Sequence, residues 1–334
     1  MRAIPLNLMT LYADLLQSVE MADGPPGSVA IKGKKYVYVT RKDGSARIEK
    51  YLGLAGDPHV QQEVERARHA AERAKSLRNT VTLLKRGRFP APSLALGRIL
   101  EVLSNAGLFK RGMTLVGTGA YQTYAGVTGY YLPSATYATN DADLSVAQFV
   151  PAEEEEDIES ILKRANPTFE PVWHTDDKLP KAFRSSDGFT VDILTRKGRS
   201  EGPVLVEALG CAAVPLRFQE FPVEETIETI ALYAAGVLVR VPTPARFAVH
   251  KLIVAQRRKA TEVAKRQKDH RQAQELMDIL LASDEATLQD VLEGARSRGK
   301  SWKTAINASL KQIGREARQG VLPFPTDRPR ASVR

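Results

Sequence analysis

Three aspartates carry the chemistry to be expected of this sequence. Asp141 and Asp143 stand two residues apart at the start of an apolar stretch, and Asp192 lies between Val191 and Ile193. Side chains alternate along a strand, so Asp141 and Asp143 share a face if this stretch is extended. A carboxylate among apolar strand neighbours is costly unless it is paired or metal-bound. A neighbouring strand would bring Asp192 beside the other two, and carboxylates that close raise one another's pKa. Hard divalent cations relieve the repulsion, and Mg²⁺ takes carboxylate and phosphate oxygens together. Two such ions activate an attacking hydroxyl and stabilise a leaving pyrophosphate. Ahead of the aspartates, Gly117-Thr118-Gly119 follows a short apolar run. Its backbone N–H groups can hold phosphate oxygens with no side chain in the way, and Thr118 adds a hydroxyl. An Asp-x-Asp alone is ordinarily a turn or cap, and Gly-x-Gly alone is commonplace. The three features in this order favour a metal and phosphate site.

The elements that must position these residues are legible from periodicity and breakers. A helix is expected over 6–19, ending at the breaker run 23–27. Two strands over 29–40 and 46–52 flank Asp43-Gly44 as a hairpin. A charged, arginine-rich helix follows over 60–84, then a Pro-rich linker at 89–93. Next come a helix over 94–105, a strand over 113–116 into the glycine turn, and a Gly- and Tyr-rich stretch over 121–137. A strand over 143–149, a helix over 157–165 and a strand over 189–194 carry the chain past Asp192. A helix is expected over 227–235 and a strand over 237–241. Helices over 246–258, 265–281, 288–296 and 303–317 complete the chain. The expected fold is α+β, a small mixed sheet with flanking helices. Its parts are an N-terminal helix, hairpin and long helix (1–90), a catalytic core (91–242), a helical region (243–320) and a loose tail (321–334).

Composition bounds the function. No apolar run approaches the ~20 residues that span a bilayer, and the amphipathic start carries Asp14, unlike a signal peptide. Cys211 is the single cysteine, so an intrachain disulfide and a multi-cysteine zinc site are excluded, and a cytoplasmic setting is the default. The net charge of +9 favours a polyanionic partner such as nucleotide phosphates or RNA. Residues 241–272 hold nine lysines and arginines against Glu262 and Asp269, while 153–160 are acidic.

The segments Leu115-Val116-Gly117-Thr118-Gly119-Ala120-Tyr121, Thr139-Asn140-Asp141-Ala142-Asp143-Leu144 and Val191-Asp192-Ile193-Leu194 resemble motifs of the DNA polymerase β-like nucleotidyltransferase superfamily. So do the stretch from Val241 to Leu252, with His250 and Lys251, and Lys268-Asp269 followed by Gln272-Ala273. The sequence is most similar to a bacterial nucleotidyltransferase-domain family related to abortive-infection toxins, over roughly residues 95–282. The resemblance implies Mg²⁺ (or Mn²⁺) held by Asp141, Asp143 and Asp192, with Asp192 assisting the incoming hydroxyl. It also implies Gly117, Thr118 and Gly119 at the nucleotide phosphates and Lys251 reaching the triphosphate. The substrate would be ATP or another nucleoside triphosphate. The acceptor would be RNA, a protein side chain or a small molecule, and a toxin or phage-defence role follows by analogy. Two departures stand out: Gly-Thr-Gly replaces the usual Gly-Ser or Gly-Gly, and the interval to Asp141 is long and filled by Tyr121, Tyr124, Tyr130, Tyr131 and Tyr137.

Other residues have competing readings. Lys251 is either a solvated helix lysine or an ammonium held over phosphates. Residues 265–271 read as a charged helix face ahead of a phosphate-binding one, Asp269 as an ion-pair partner or helix-packing residue rather than a metal ligand, and Asp278 as a surface residue. His174 and His250 are candidate bases, though single histidines are more often not catalytic. Trp173 reads as core and Cys211 as a buried apolar residue. Tyr36, Tyr38, Lys32, Lys34 and Lys35 fit either nucleic-acid contact or a scaffold over the catalytic sheet. Two further functions stand beside nucleotidyl transfer: an Asp-x-Asp glycosyltransferase, which leaves Asp192 unexplained, and a non-enzymatic nucleic-acid-binding protein.

Overall fold

A computed structural model describes residues 1–20, 27–33, 35–43, 46–136, 139–153, 155–173, 178–198 and 202–318. The breaker run at 23–26, Lys34, Gly44, Tyr137, Glu154, His174 and the tail 321–334 lie outside the described residues.

The chain opens with α1 (Leu6–Glu20) and an antiparallel meander of β1 (Gly27–Lys32), β2 (Tyr36–Asp43) and β3 (Ala46–Leu54). The expected strand over 29–40 is thus two strands, because Gly33 turns the chain at a φ of 57°. Helix α2 (Pro58–Arg86) starts where the Asp57 side chain accepts the His59 N–H and Pro58 takes the first turn. Helix α3 (Leu94–Asn105) begins at Ser93, whose hydroxyl accepts the Leu96 N–H. Then come β4 (Thr114–Val116), α4 (Gly117–Tyr121), α5 (Tyr124–Thr128), β5 (Asp141–Ser145) and α6 (Ile158–Ala165). Strands β6 (Glu170–Val172), β7 (Ala182–Arg184), β8 (Thr190–Arg196), β9 (Val204–Val206) and β10 (Cys211–Leu216) follow. The chain continues through α7 (Glu220–Val223), β11 (Thr226–Ala231) and β12 (Val237–Pro242). It ends in α8 (Pro244–Ala255), α9 (Val263–Ser283), α10 (Glu285–Ser297) and α11 (Lys300–Arg318).

The fold is α+β, as expected. Its central sheet has the order β4-β5-β8-β10-β9. Strand β5 runs antiparallel to β4 and parallel to β8. The far edge of β8 is shared, its first half pairing with β7 and its second half with β10. The buried face of this sheet packs Leu115, Leu144, Val191 and Ile193 against α3, α6 and residues of α8 and α9, including Phe247, Leu276 and Ile279. No helix among the described residues is long and apolar enough to cross a membrane.

Two expectations fail here. The segment expected to be helical over 227–235 contains β11, paired in full antiparallel register with β12. Its β-branched residues Ile227, Thr229 and Ile230 fit a pleated surface, and Gly236, at a φ of 93°, closes the ribbon. Trp173 is 56% exposed and is not core. The N-terminal region docks on this ribbon. Tyr12, Leu15, Val81 and Leu84 join Ala125, Ile230, Leu232 and Leu238 in one apolar cluster.

Tyr12 is fixed at the centre of that cluster. Its hydroxyl lies 2.6 Å from Thr229 Oγ1 and accepts the Ile230 N–H at 3.2 Å, while its ring stacks on Phe89. A Cβ on Gly126 would lie 2.2 Å from the Tyr12 ring. Ala favours helix by up to ~1 kcal/mol over Gly, but overpacking a ring that cannot yield costs about 1–3 kcal/mol. Gly126→Ala is therefore expected to lower the denaturant midpoint. An unchanged or raised midpoint would show that Tyr12 is free to move.

Candidate active site

The three aspartates meet through the register of β5 and β8. In this parallel pair Asp143 lies opposite Asp192, and Asp141 lies opposite Thr190. Neighbouring strands are about 4.8 Å apart, so Asp143 and Asp192 stand side by side, with Asp141 two residues along on the same face. The alternate residues Ala142, Leu144, Val191 and Ile193 are buried in the core beneath. Asp143 and Asp192 are half-buried and Asp141 is exposed, its carboxylate accepting the Thr139 hydroxyl.

Electrostatics record the crowding. Burial, then the charges of Asp141 and Asp192, push the Asp143 carboxyl up to about 6. Burial and then Asp141 also raise Asp192, against the pull of Arg184 on β7. Among the described residues no three His, Cys, Asp or Glu side chains close into a ready-made metal cage. The aspartates instead form an open row. Such a row suits Mg²⁺, which is usually held by one or two carboxylates and completes its shell with water and phosphate oxygens.

Gly117 has a specific role in this geometry. Val116 pairs with Asp143 across β4 and β5, so the next residue turns directly over that carboxylate. A Cβ on Gly117 would lie 2.3 Å from Asp143 Oδ2, and the backbone there has a φ of 65°. Only glycine fits both conditions. Thr118 is buried, and Gly119 packs closely on Leu115, where a Cβ would lie 3.1 Å from Cδ1.

Cations from α8, α9 and the turn between them lie opposite the row. Lys251 is 7% exposed, and its ammonium donates to Asp269 Oδ1 at 2.7 Å. Arg258 donates from Nε to Asp269 Oδ2 at 2.8 Å. Burial alone would raise Asp269, but Lys251 and Arg258 hold it below the usual carboxylate range. The charges of Lys251 and Arg258 both reach Asp143 and oppose its rise. Burial and then Lys251 lower Lys268, while Asp141 and Asp269 pull it the other way. Residues 265–271 are therefore not simply a solvated face, since Lys268 is half-buried and turned toward the carboxylates' field. Asp269 is the ion-pair partner it was expected to be. Arg184 is the residue the sequence did not single out; Lys268 stood only within a resembling motif and Arg258 only within the basic stretch around Lys251. The density of charge at 257–271 was visible, but which charges turn inward is set by how α8 and α9 pack.

Several candidates fall away. Burial, then the charge of Lys251, drives His250 down to about 3, so it stays neutral and is a poor base. Burial pushes the Cys211 thiol up to about 12, consistent with an apolar role. Tyr121 and Tyr124 are core residues packed on Phe247. The Tyr121 hydroxyl donates to Glu275 at 2.6 Å and that of Tyr124 to the Pro242 carbonyl at 2.8 Å. Asp278 is half-buried rather than a surface residue, and burial pushes it up to about 6.

Two outcomes follow. Asp143 binds its proton more tightly folded, at about 6, than at its ordinary 3.8. Its contribution to the stability of the metal-free protein is therefore full below the ordinary value and is lost as pH rises through about 6. A cation bound at the row would replace that proton, so a magnesium-induced rise in Tm is expected to be larger at pH 7.5 than at pH 5. Scanning fluorimetry at both pH values checks this, and an equal or larger shift at pH 5 would refute it. Gly117→Ala should displace the Asp143 carboxylate and abolish most of that shift, with strain of roughly 1–3 kcal/mol in the fold.

Comparison with known proteins agrees with this geometry. A family model described as nucleotidyltransferase matches residues 95–297, from the first residues of α3 to the end of α10. Among curated proteins none matches. Among solved structures, the chain is similar to an antigenic nucleotidyltransferase-like protein from Paracoccidioides brasiliensis. The identity is 15% and the TM-score 0.32, over 64% of this chain and 92% of that one. Because the family model spans the aspartate row, the Gly117 turn and the α8–α9 cations together, the chain belongs to a nucleotidyltransferase family.

Proposed function

We propose that this enzyme transfers a nucleoside monophosphate from a nucleoside triphosphate to an acceptor hydroxyl, using Mg²⁺ or Mn²⁺ held by Asp141, Asp143 and Asp192. The observation that carries this proposal is the β5–β8 register, which sets Asp143 beside Asp192 with Asp141 on the same face. The bound ion would supply charge neutralisation at the phosphates and a lowered barrier to deprotonating the acceptor. Asp192, half-buried and raised above the usual carboxylate range, is suited to take the acceptor proton. Gly117 leaves room for Asp143 and, with Thr118 and Gly119, presents the start of α4 to the nucleotide phosphates. Lys251, Arg258 and Lys268 offset the triphosphate charge, with Asp269 orienting the first two. The acceptor is RNA, a protein side chain or a small molecule. A glycosyltransferase would use Asp141 and Asp143, but it leaves Asp192 and the cations of α8 and α9 without a task.

Incubation with each α-labelled nucleoside triphosphate, Mg²⁺ or Mn²⁺ and cell lysate or total RNA should yield labelled acceptor. Asp143→Asn should reduce labelling by at least ~100-fold, the scale on which a lost electrostatic contact in the transition state acts. Undiminished labelling by Asp141→Asn and Asp143→Asn would sink the assignment. Transfer to a host RNA or protein would make expression toxic. Growth arrest relieved by Asp143→Asn is the cellular form of the same test.

A further inference from the structure

We propose that the outer face of the β1–β3 sheet binds single-stranded nucleic acid, with Tyr36, Tyr38 and Tyr51 stacking on bases while surrounding lysines and arginines hold phosphates. The two faces of this sheet differ in kind. On one, Val37 and Val39 are buried, and a Cβ on Gly53 would lie 2.6 Å from Val60 of α2, so this side is packed against the long helix. On the other, Tyr38 faces Tyr51 across β2 and β3, and Tyr36 lies two residues from Tyr38. The ring centroids are 5.2 Å apart for Tyr38 and Tyr51 and 6.2 Å for Tyr36 and Tyr51, with interplanar angles of 51° and 54°. Tyr36 and Tyr51 remain 47% and 49% exposed. Tyr121 and Tyr124, by contrast, are fully buried.

Charge selects the occupant. Residues 27–54 hold seven lysines and arginines against Asp43 and Glu49. The Lys32 ammonium sits 4.6 Å from the Tyr38 ring centroid and pairs with Glu49 at 2.7 Å, so cation and ring already share one surface. Arg47 is exposed on the tyrosine face, four residues along β3 from Tyr51, and Lys35 is exposed beside Tyr36 at the start of β2, whereas Lys50 pairs with Val39 on the other face. Two copies of so basic a sheet would repel each other, whereas a polyanion is attracted. Aromatic rings on an open basic sheet fit unpaired bases, whose π-faces a duplex keeps stacked and unavailable. The inference stands apart from the transfer reaction, because binding here requires neither nucleotide nor metal.

The test is fluorescence anisotropy with a labelled oligouridine of about 12 nucleotides. The wild-type chain is compared with Tyr36→Ala/Tyr51→Ala, Tyr36→Phe/Tyr51→Phe and Asp141→Asn/Asp143→Asn. The alanine pair should weaken binding by roughly tenfold or more, because stacking on each ring contributes on that scale. The phenylalanine pair keeps the rings and should bind like the wild type, as should the aspartate pair, which leaves the sheet intact. Affinity should fall steeply with salt and exceed that for a duplex of equal length. Equal affinity of the alanine pair and the wild type would overturn the proposal, as would a preference for duplex. Self-association by sedimentation that the alanine pair abolishes, with no oligouridine binding, would assign the face to a second copy instead.

Discussion

Holding Asp143 beside Asp192, with Asp141 on the same face of two adjacent strands, carries an electrostatic cost that protonation or nearby positive charge must offset. The rest of the structure around the site answers that constraint. The buried face of β5 and the first part of β8, with Ala142, Leu144, Val191 and Ile193, is apolar, which fixes the register and forces the carboxylates to the open side. Gly117 permits the chain to pass over Asp143 at a distance that no other residue tolerates. The α8–α9 pair brings Lys251, Arg258 and Lys268 into the same field. Those cations only partly relieve the row, since Asp143 still sits near 6. Burial and the remaining repulsion from Asp141 and Asp192 are what a divalent ion, bound there as proposed, would relieve.

Helix α9 links this site to the core. On one turn Asp269 accepts from Lys251 and Arg258, and on the next turns Glu275 accepts the Tyr121 hydroxyl and both the N–H and hydroxyl of Ser134. Leu276 and Ile279 then enter the central core itself. A buried carboxylate with several donors is costly to break because the remaining charge is left unpaired. Lys251 is thereby held against Asp269 rather than loose in solvent, and its position follows the packing of α9 on α8. Tyr121 and Tyr124 serve the same framework, anchoring the helices after Gly117 against Phe247.

The N-terminal region makes a different use of its surface. Its helices bury Tyr12, Leu15, Val81 and Leu84 against β11 and β12, which ties the region to the catalytic body. Its sheet spends one face on α2 and leaves three tyrosines and a lysine on the other.

The sequence by itself determined the parts that depend on local chemistry. Periodicity and breakers placed α1, α2, α3, α6 and α8–α11, and side-chain alternation put Asp141 and Asp143 on one face. It did not separate β1 from β2, whose run over 29–40 was read through Gly33 as one strand, nor recognise β11, whose short apolar pattern suits a helix as well as a strand. Strands β6, β7 and β9, three residues each, and β10 passed unread. Tertiary structure alone decided that Asp192 stands beside Asp143, since a parallel register is set by the core beneath it. It also decided which cations of 257–271 turn inward, because helix packing, not charge content, chooses the buried face. The aspartates were therefore visible as chemistry, and only the register between β5 and β8 made them neighbours.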